Sequence, residues 1–178
     1  VGPDTISVRV HPAMVPLTHP LAQVSGAHNA VFVESAGSGS LMLYGQGAGG
    51  APTASAVLGD VIDAARHLRL KTSAPAPIRS LPVVATSMDA LRSAFYLSLD
   101  AFDRPGVLAA VASVFGEHRV SIRSMEQQGL GDEARLVFVT HEAAEADMAA
   151  TIKALSALDA VEAVGGVLRV IEDERAEG

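Results

Sequence analysis

The chain has 178 residues, 49% of them hydrophobic, a formal charge of −7 and no cysteine. Its length allows one large or two small domains. The acidic balance and the 4% aromatic content, without tryptophan, argue against a nucleic-acid partner. The missing thiol excludes disulfides, thiolate metal sites and cysteine nucleophiles. Apolar runs are short and broken, none near the roughly 18 residues of a membrane span. The opening VGPDTISVRV lacks the basic start and apolar core of a signal peptide. These features lead us to expect a cytoplasmic protein with no membrane partner. A strand that begins almost at once, with no lead-in, reads as the middle of a longer protein.

Taken in chain order, the first half is β-rich and ends in one helix. Thr5 to Val10 alternates, with Ile6, Val8 and Val10 on one side, until His11-Pro12 stops it. Asn29–Glu34 and Leu41–Tyr44 flank the turn-forming SAGSGS and make a hairpin. Pro52 suits the first turn of a helix because its missing N–H is not needed there. Ala54, Val57, Leu58, Val61, Ile62, Ala65 and Leu68 recur at helical spacing and are expected to face a core. Arg66, His67 and Arg69 suit the negative end of the helix dipole. From Leu70 to Ala90 the chain carries Pro75, Pro77 and Pro82 among polar residues, an interdomain linker in which Val83 and Val84 fit a short edge strand.

The second half repeats itself. Strand 94–99, a helix opened by Asp103-Arg104-Pro105-Gly106 and strand 120–128 are followed by strand 134–140, helix 145–158 and strand 161–171. Val107, Leu108, Val111, Val114 and Phe115 form the inner face of the first helix. Met148, Ile152, Leu155 and Leu158 form that of the second. The second β-α-β follows the first by about 40 residues, and two such units pack as one antiparallel sheet with both helices on one face. The expected class is therefore α+β: a partial mixed β-sheet with one helix, then a ferredoxin-like βαββαβ unit. The expected divisions are 1–70, a linker 71–92, a domain 93–173 and a tail 174–178. The sheet face away from the helices needs a cover, and a second copy of the same sheet is the economical one.

Gly45, Gly47 and Gly50 satisfy the spacing G-x-G-x-x-G. A dinucleotide unit also needs a second parallel strand ending in an acid after the helix, and here the linker arrives instead. The loop can touch a ligand without opening a nucleotide-binding domain, and a tight turn needing positive φ explains the glycines equally well. His11, His19 and His28 lack metal-ligand spacing, so no metal is expected. Thr53 and Ser55 have no His-Asp partners for nucleophilic catalysis. Arg119 and Arg123 read as solvated or paired with nearby acids, and the acidic run 172–177 reads as a solvating tail.

The stretches LSLDAFDRPGVLAAVASVF and VSIRSMEQQG resemble the ACT domain, a regulatory module that binds amino acids. In that family the effector sits at the loop between first strand and first helix. The matching positions are Ala101, Phe102, Asp103, Arg104, Pro105, Gly106 and Val107. Ser121 corresponds to a side chain that completes the site across a dimer. The physical chemistry agrees: free N–H groups at the helix start suit a carboxylate, Gly106 permits close approach, and Asp103 suits either a helix cap or an effector ammonium group.

VRVHPAMVPLTHPLAQVSGAHNAVFVE and LMLYGQGAGGAPTASAVLGDVIDAAR resemble the C-terminal part of the catalytic and dimerisation region of homoserine dehydrogenase, which an ACT module commonly follows. The resemblance implies hydride transfer between NAD(P)H and aspartate semialdehyde in the intact enzyme, with Gly47 and Gly49 contacting the cofactor. It implies feedback control by an amino acid, threonine being the usual effector, and a homodimer or higher homo-oligomer. In that family the catalytic lysine and the substrate-holding acids lie before the matched region. Lys71 in the linker and Lys153 on a helix exterior do not replace them, so no catalytic residue is assigned and this chain alone is expected to be inactive, with no cofactor bound. A stand-alone amino-acid sensor and a pure dimerisation module remain open as alternatives.

Overall fold

The alternation in Arg92–Phe102 builds the centre of the molecule's largest sheet. In the computed structural model, which describes residues 4–72, 82–129 and 131–171, this stretch is one 11-residue strand whose Phe95, Leu97, Leu99 and Ala101 are all but completely buried. The chain divides into two units, one of Val1–Pro16 with Pro82–Gly178, the other of Leu17–Leu81.

In chain order the first unit comprises β1 (Thr5–Ile6), β2 (Ala13–Met14), β5 (Val84–Ala85), β6 (Arg92–Phe102), α2 (Val107–Glu117), β7 (Ile122–Gly129), β8 (Glu133–Thr140), β9 (Ala143–Ala144), α3 (Glu145–Leu155) and β10 (Val161–Val170). The second holds β3 (His28–Ser35), β4 (Gly39–Gln46) and α1 (Gly50–Leu70). The main sheet runs β2-β10-β6-β8-β7. β6 is antiparallel to both neighbours, with Leu97 opposite Phe138 and Leu99 opposite Leu136. Side chains directly opposite share a face, so the odd residues of β6 and the even residues of β8 make one apolar surface. Val111, Val114 and Phe115 of α2 and Met148 and Leu155 of α3 close over it in a single core. Removing each large side chain from water contributes about 1.5–3 kcal/mol. This is the expected ferredoxin-like βαββαβ arrangement.

Two buried hydroxyls stitch this core. Thr140 Oγ1 accepts the Phe95 N–H at 3.0 Å, and Thr151 Oγ1 donates to the Asp147 carbonyl at 2.8 Å. Opposite Ser98, β10 bulges at Gly165-Gly166. The Gly166 N–H donates to Ser98 Oγ at 2.9 Å, and a Cβ on Gly165 would fall 2.5 Å from that oxygen.

Three features differ from the sequence reading. The strand expected over Thr5–Val10 is only two residues long, and it pairs in parallel with Val84–Ala85. Residues 13–14 add a fifth strand beside β10, also in parallel. The N-terminal segment is thus grouped by its backbone pairing with the C-terminal half, and the contact boundaries fall at Pro16 and Pro82, where a domain 1–70, a linker 71–92 and a domain 93–173 were expected. Alternation marks an extended segment but does not name the edge it joins. The Pro-rich part of the expected linker, 73–81, and the tail 174–178 lie outside the described residues. The linker's end, from Val84 on, is paired strand and a 3₁₀ turn at Met88–Ala90.

The third difference concerns α1. It forms with the expected periodicity and ends at Lys71 in the left-handed conformation. Its apolar face, however, is bare: Val57, Leu58, Val61, Ile62 and Leu68 are between 42% and 82% exposed, and no α1 residue is buried. Periodicity creates a face that needs a partner layer, and among the described residues this chain supplies none. The neighbouring hairpin pairs in regular register, with Val31 opposite Leu43 and Val33 opposite Leu41, all four exposed. On its other face Phe32 meets the ring of buried His19 edge-on, with centroids 4.8 Å apart.

Candidate functional site

A cleft of about 320 Å³ opens where β6 runs into α2. The local sequence dictates its shape. Phe102 is the last strand residue and its N–H is held by the Ala160 carbonyl at 3.0 Å. Pro105 cannot donate, and Gly106 turns the chain with φ +91°, a conformation that favours glycine. α2 begins at Val107. Ala110 is bonded back to the Gly106 carbonyl, while the amides of Leu108 and Ala109 have no backbone acceptor among the described residues. Such first-turn donors carry partial positive charge and suit a carboxylate.

Asp103 sits across the cleft. Its backbone N–H donates to the Asp132 carbonyl at 2.9 Å, and its Oδ1 accepts from Gln127 Nε2 at 3.2 Å. A carboxylate only accepts, so the Gln127 amide must turn its nitrogen toward Asp103, leaving Oε1 as an acceptor for something else. Gly129 matters here because a Cβ on it would lie 3.6 Å from Asp103 Oδ2. Val107, Leu108, Ala134 and Leu136 complete an apolar wall. One anionic group, two free first-turn N–H donors and an apolar wall form the complement of a zwitterion carrying a small side chain.

Of the positions expected to hold an effector, Phe102, Asp103, Arg104, Pro105, Gly106 and Val107 all line this cleft. Ala101 does not: it is fully buried in the core below. Ser121 lies outside the cleft, exposed, with its carbonyl taken by the His141 N–H at 2.9 Å. Asp103 does not cap α2. The N-cap is Gly106 with no side-chain bond, because the helix starts three residues later than a capping Asp103 requires. The Arg104 guanidinium stacks on the Phe102 ring at 4.8 Å. Gln127 was not among the expected residues. Its place in the alternation of β7, opposite Leu136, puts it on the helix side of the sheet, which was the available signal.

The glycine loop lies in the other unit. Gly47 N–H donates to the Ala27 carbonyl at 3.1 Å, and a Cβ on Gly47 would fall 1.9 Å from Asn29 Nδ2. Gly49 is the N-cap of α1 with φ +134°, and its carbonyl accepts from Thr53. Both glycines are required by the local backbone. They also leave a bare surface ahead of a helix start, which fits close approach of an anionic group.

His19 Nδ1 accepts the Leu21 N–H at 3.1 Å, a structural role. Among the described residues no cluster of three His, Asp or Glu side chains is placed to hold a metal, and no helix is long and apolar enough to cross a membrane. Lys71 ends α1 and Lys153 is exposed on α3. Arg119 pairs with Asp147 at 3.1 Å. Arg135, bonded to Asp100 at 2.8 Å, is held above its ordinary pKa by that bond.

Residues 2–62 match the family model for homoserine dehydrogenase, and residues 95–160 match that of the ACT domain. The chain resembles the C-terminal part of homoserine dehydrogenase. The homoserine dehydrogenase of Mycobacterium tuberculosis is 46% identical over 175 residues, covering 95% of this chain and 40% of the relative. That of Corynebacterium glutamicum is 45% identical over 174 residues, covering 97% and 39%. A crystal structure of a homoserine dehydrogenase from Thiobacillus denitrificans superposes with a TM-score of 0.85 at 34% identity, over 96% of this chain and 40% of that one. The chain thus spans about 40% of the length of these oxidoreductases. The glycine loop falls in the dehydrogenase-like part and the cleft in the ACT part.

Proposed function

We propose that this chain is the regulatory end of a homoserine dehydrogenase that interconverts aspartate semialdehyde and homoserine with NAD(P)H, in the biosynthesis of threonine and methionine in the cytoplasm. The cleft at Asp103 takes a free amino acid as feedback effector, with threonine the first candidate. The observation that carries this reading is the pairing of opposite charges across the cleft. Asp103 meets an ammonium group and the first turn of α2 meets a carboxylate, while Gln127 Oε1 accepts a side-chain hydroxyl. Asp103 and the residues through Val107 form the main site, Ala101 supports it from the core, and Ser121 completes it from a second copy in a homodimer.

The nicotinamide cofactor belongs to the intact enzyme, where Gly47 and Gly49 lie against it. It supplies the hydride. This chain's part is to offer side-chain-free backbone and helix N–H groups at that surface. The chain alone has no turnover in this reading, because neither Lys71 nor Lys153 sits in a buried site that could deliver a proton.

Calorimetric titration of the chain with threonine, and with valine as the isostere lacking the hydroxyl, tests the effector site. Threonine binds and valine binds more weakly. Asp103→Ala weakens threonine about tenfold or more, the scale of losing one charge-assisted bond. An unchanged affinity in that variant removes Asp103 from the site. No heat with any amino acid favours a dimerisation module. Homoserine oxidation by the chain itself contradicts the regulatory reading.

A further inference from the structure

The N-terminal segment lies within the part that matches the dehydrogenase family, yet it is folded onto the regulatory unit. Among the described residues, three sets of contacts are seen at it. β1 pairs with β5 over two residues, so that Val84 and Thr86 donate to the Asp4 and Ile6 carbonyls at 3.0 and 2.8 Å. β2 pairs with β10 over two residues, and Ile171 donates to the Met14 carbonyl at 2.9 Å. Between these ladders, Arg9 Nη1 donates to Ser93 Oγ at 2.8 Å and stands 3.6 Å from Glu145 Oε1.

Ile6, Val8, Val10 and Met14 are all at least 40% exposed, so apolar burial contributes little, and two-residue ladders are weak. The Arg9 side chain adds the charged part of the attachment. Its construction makes it releasable. Glu145 is gripped by Arg169 through two bonds, the second at 2.6 Å from Nη2 to Oε2. That bonding holds the Arg169 pKa above its ordinary value against the effect of burial. When Arg9 leaves, Glu145 keeps Arg169 as its partner and Arg9 moves into water. No charge is orphaned, and orphaning is what makes most partly buried pairs costly to open.

We propose that residues 4–16 form a detachable strap on the regulatory unit, latched by Arg9 to Ser93 and to a Glu145 already neutralised by Arg169. The strap is well placed to report on the regulatory sheet, since β6 and β10, which carry Ser93 and Arg169, are also the strands that lead to the effector cleft. Docked, the strap leaves only Val15 and Pro16 between its last paired residue and Leu17, where the other unit begins.

Amide hydrogen exchange by NMR on the full chain tests this without any ligand. The reporters are Val84, Thr86 and Ile171, whose N–H groups bond to the strap, and the control is Phe95, bonded to Thr140 inside the core. The reporters should exchange faster than Phe95 in the unaltered chain. Arg9→Ala should speed them about tenfold further, as expected for losing one charge-assisted bond, while Phe95 is unmoved. Val10→Ala, at a fully exposed strap position, should change neither. Reporters that ignore Arg9→Ala overturn the latch. Reporters and Phe95 accelerating together overturn the strap, because the segment would then open only with the whole fold.

Discussion

The regulatory unit and the hairpin–helix unit were written in the same sequence grammar and came out differently. Both contain strands of alternating polarity and an amphipathic helix. In the regulatory unit the odd residues of β6 meet α2 and α3, and Leu97, Leu99, Val111 and Leu155 are completely buried. In the other unit the corresponding faces, Val57 to Leu68 on α1 and Val31, Val33, Leu41 and Leu43 on the hairpin, are exposed. The difference is the number of layers the chain itself provides. A βαββαβ unit contains both the sheet and the helices that cover it. A hairpin and one helix do not, and a bare face of that extent is the mark of a surface meant for another part of an assembly.

The largest test is truncation on each side of that divide. Leu99→Ala should destabilise the regulatory unit by about 2–5 kcal/mol in denaturant unfolding, through lost burial and the cavity left behind. Val61→Ala on α1 should change stability by less than about 0.5 kcal/mol. A comparable cost for Val61→Ala would break the comparison, since it would mean that a second copy covers α1 in solution.

A smaller effect concerns polar stitching. Thr140→Val keeps the volume but leaves the Phe95 N–H without its acceptor, and a cost of about 1–3 kcal/mol is expected in the same unfolding measurement. The exposed Ser35–Ser38 hydroxyl pair of the hairpin should give no measurable change on Ser38→Ala. Equal responses would show that burial is not what sets the two regions apart.

The smallest effect is backbone strain. Gly106 and Gly39 have φ of +91° and +68°, and alanine at either costs about 1–2 kcal/mol locally. Gly106→Ala should lower the unfolding midpoint of the regulatory unit, because its turn is fixed to the core. Gly39→Ala should leave that midpoint in place and show itself only as faster amide exchange in the hairpin.

Much of this was readable beforehand. The βαββαβ order and most inner residues of α2 and α3 follow from period and punctuation, because those elements find their partners within one continuous stretch; Leu108, expected to face inward, is exposed at the cleft instead. Gln127 escaped notice because a polar residue at an inward strand position looks like an error until the strand end is seen to border a cleft. Asp103 was legible as a residue of the loop that lines the cleft but not as the partner of Gln127, and its capping role vanished because Gly106, with its positive φ, took that position.

By itself the sequence determined most of the helices, the long strands of the second half and the turn at Pro105-Gly106; these depend on local stereochemistry and side-chain order. Only the tertiary structure decided that residues 13–14 lie against β10, that Arg9 meets Ser93 and Glu145, and that the face of α1 stays open. Those outcomes depend on which edges and faces remain unsatisfied once the core has closed, a property of the whole fold that no local pattern carries.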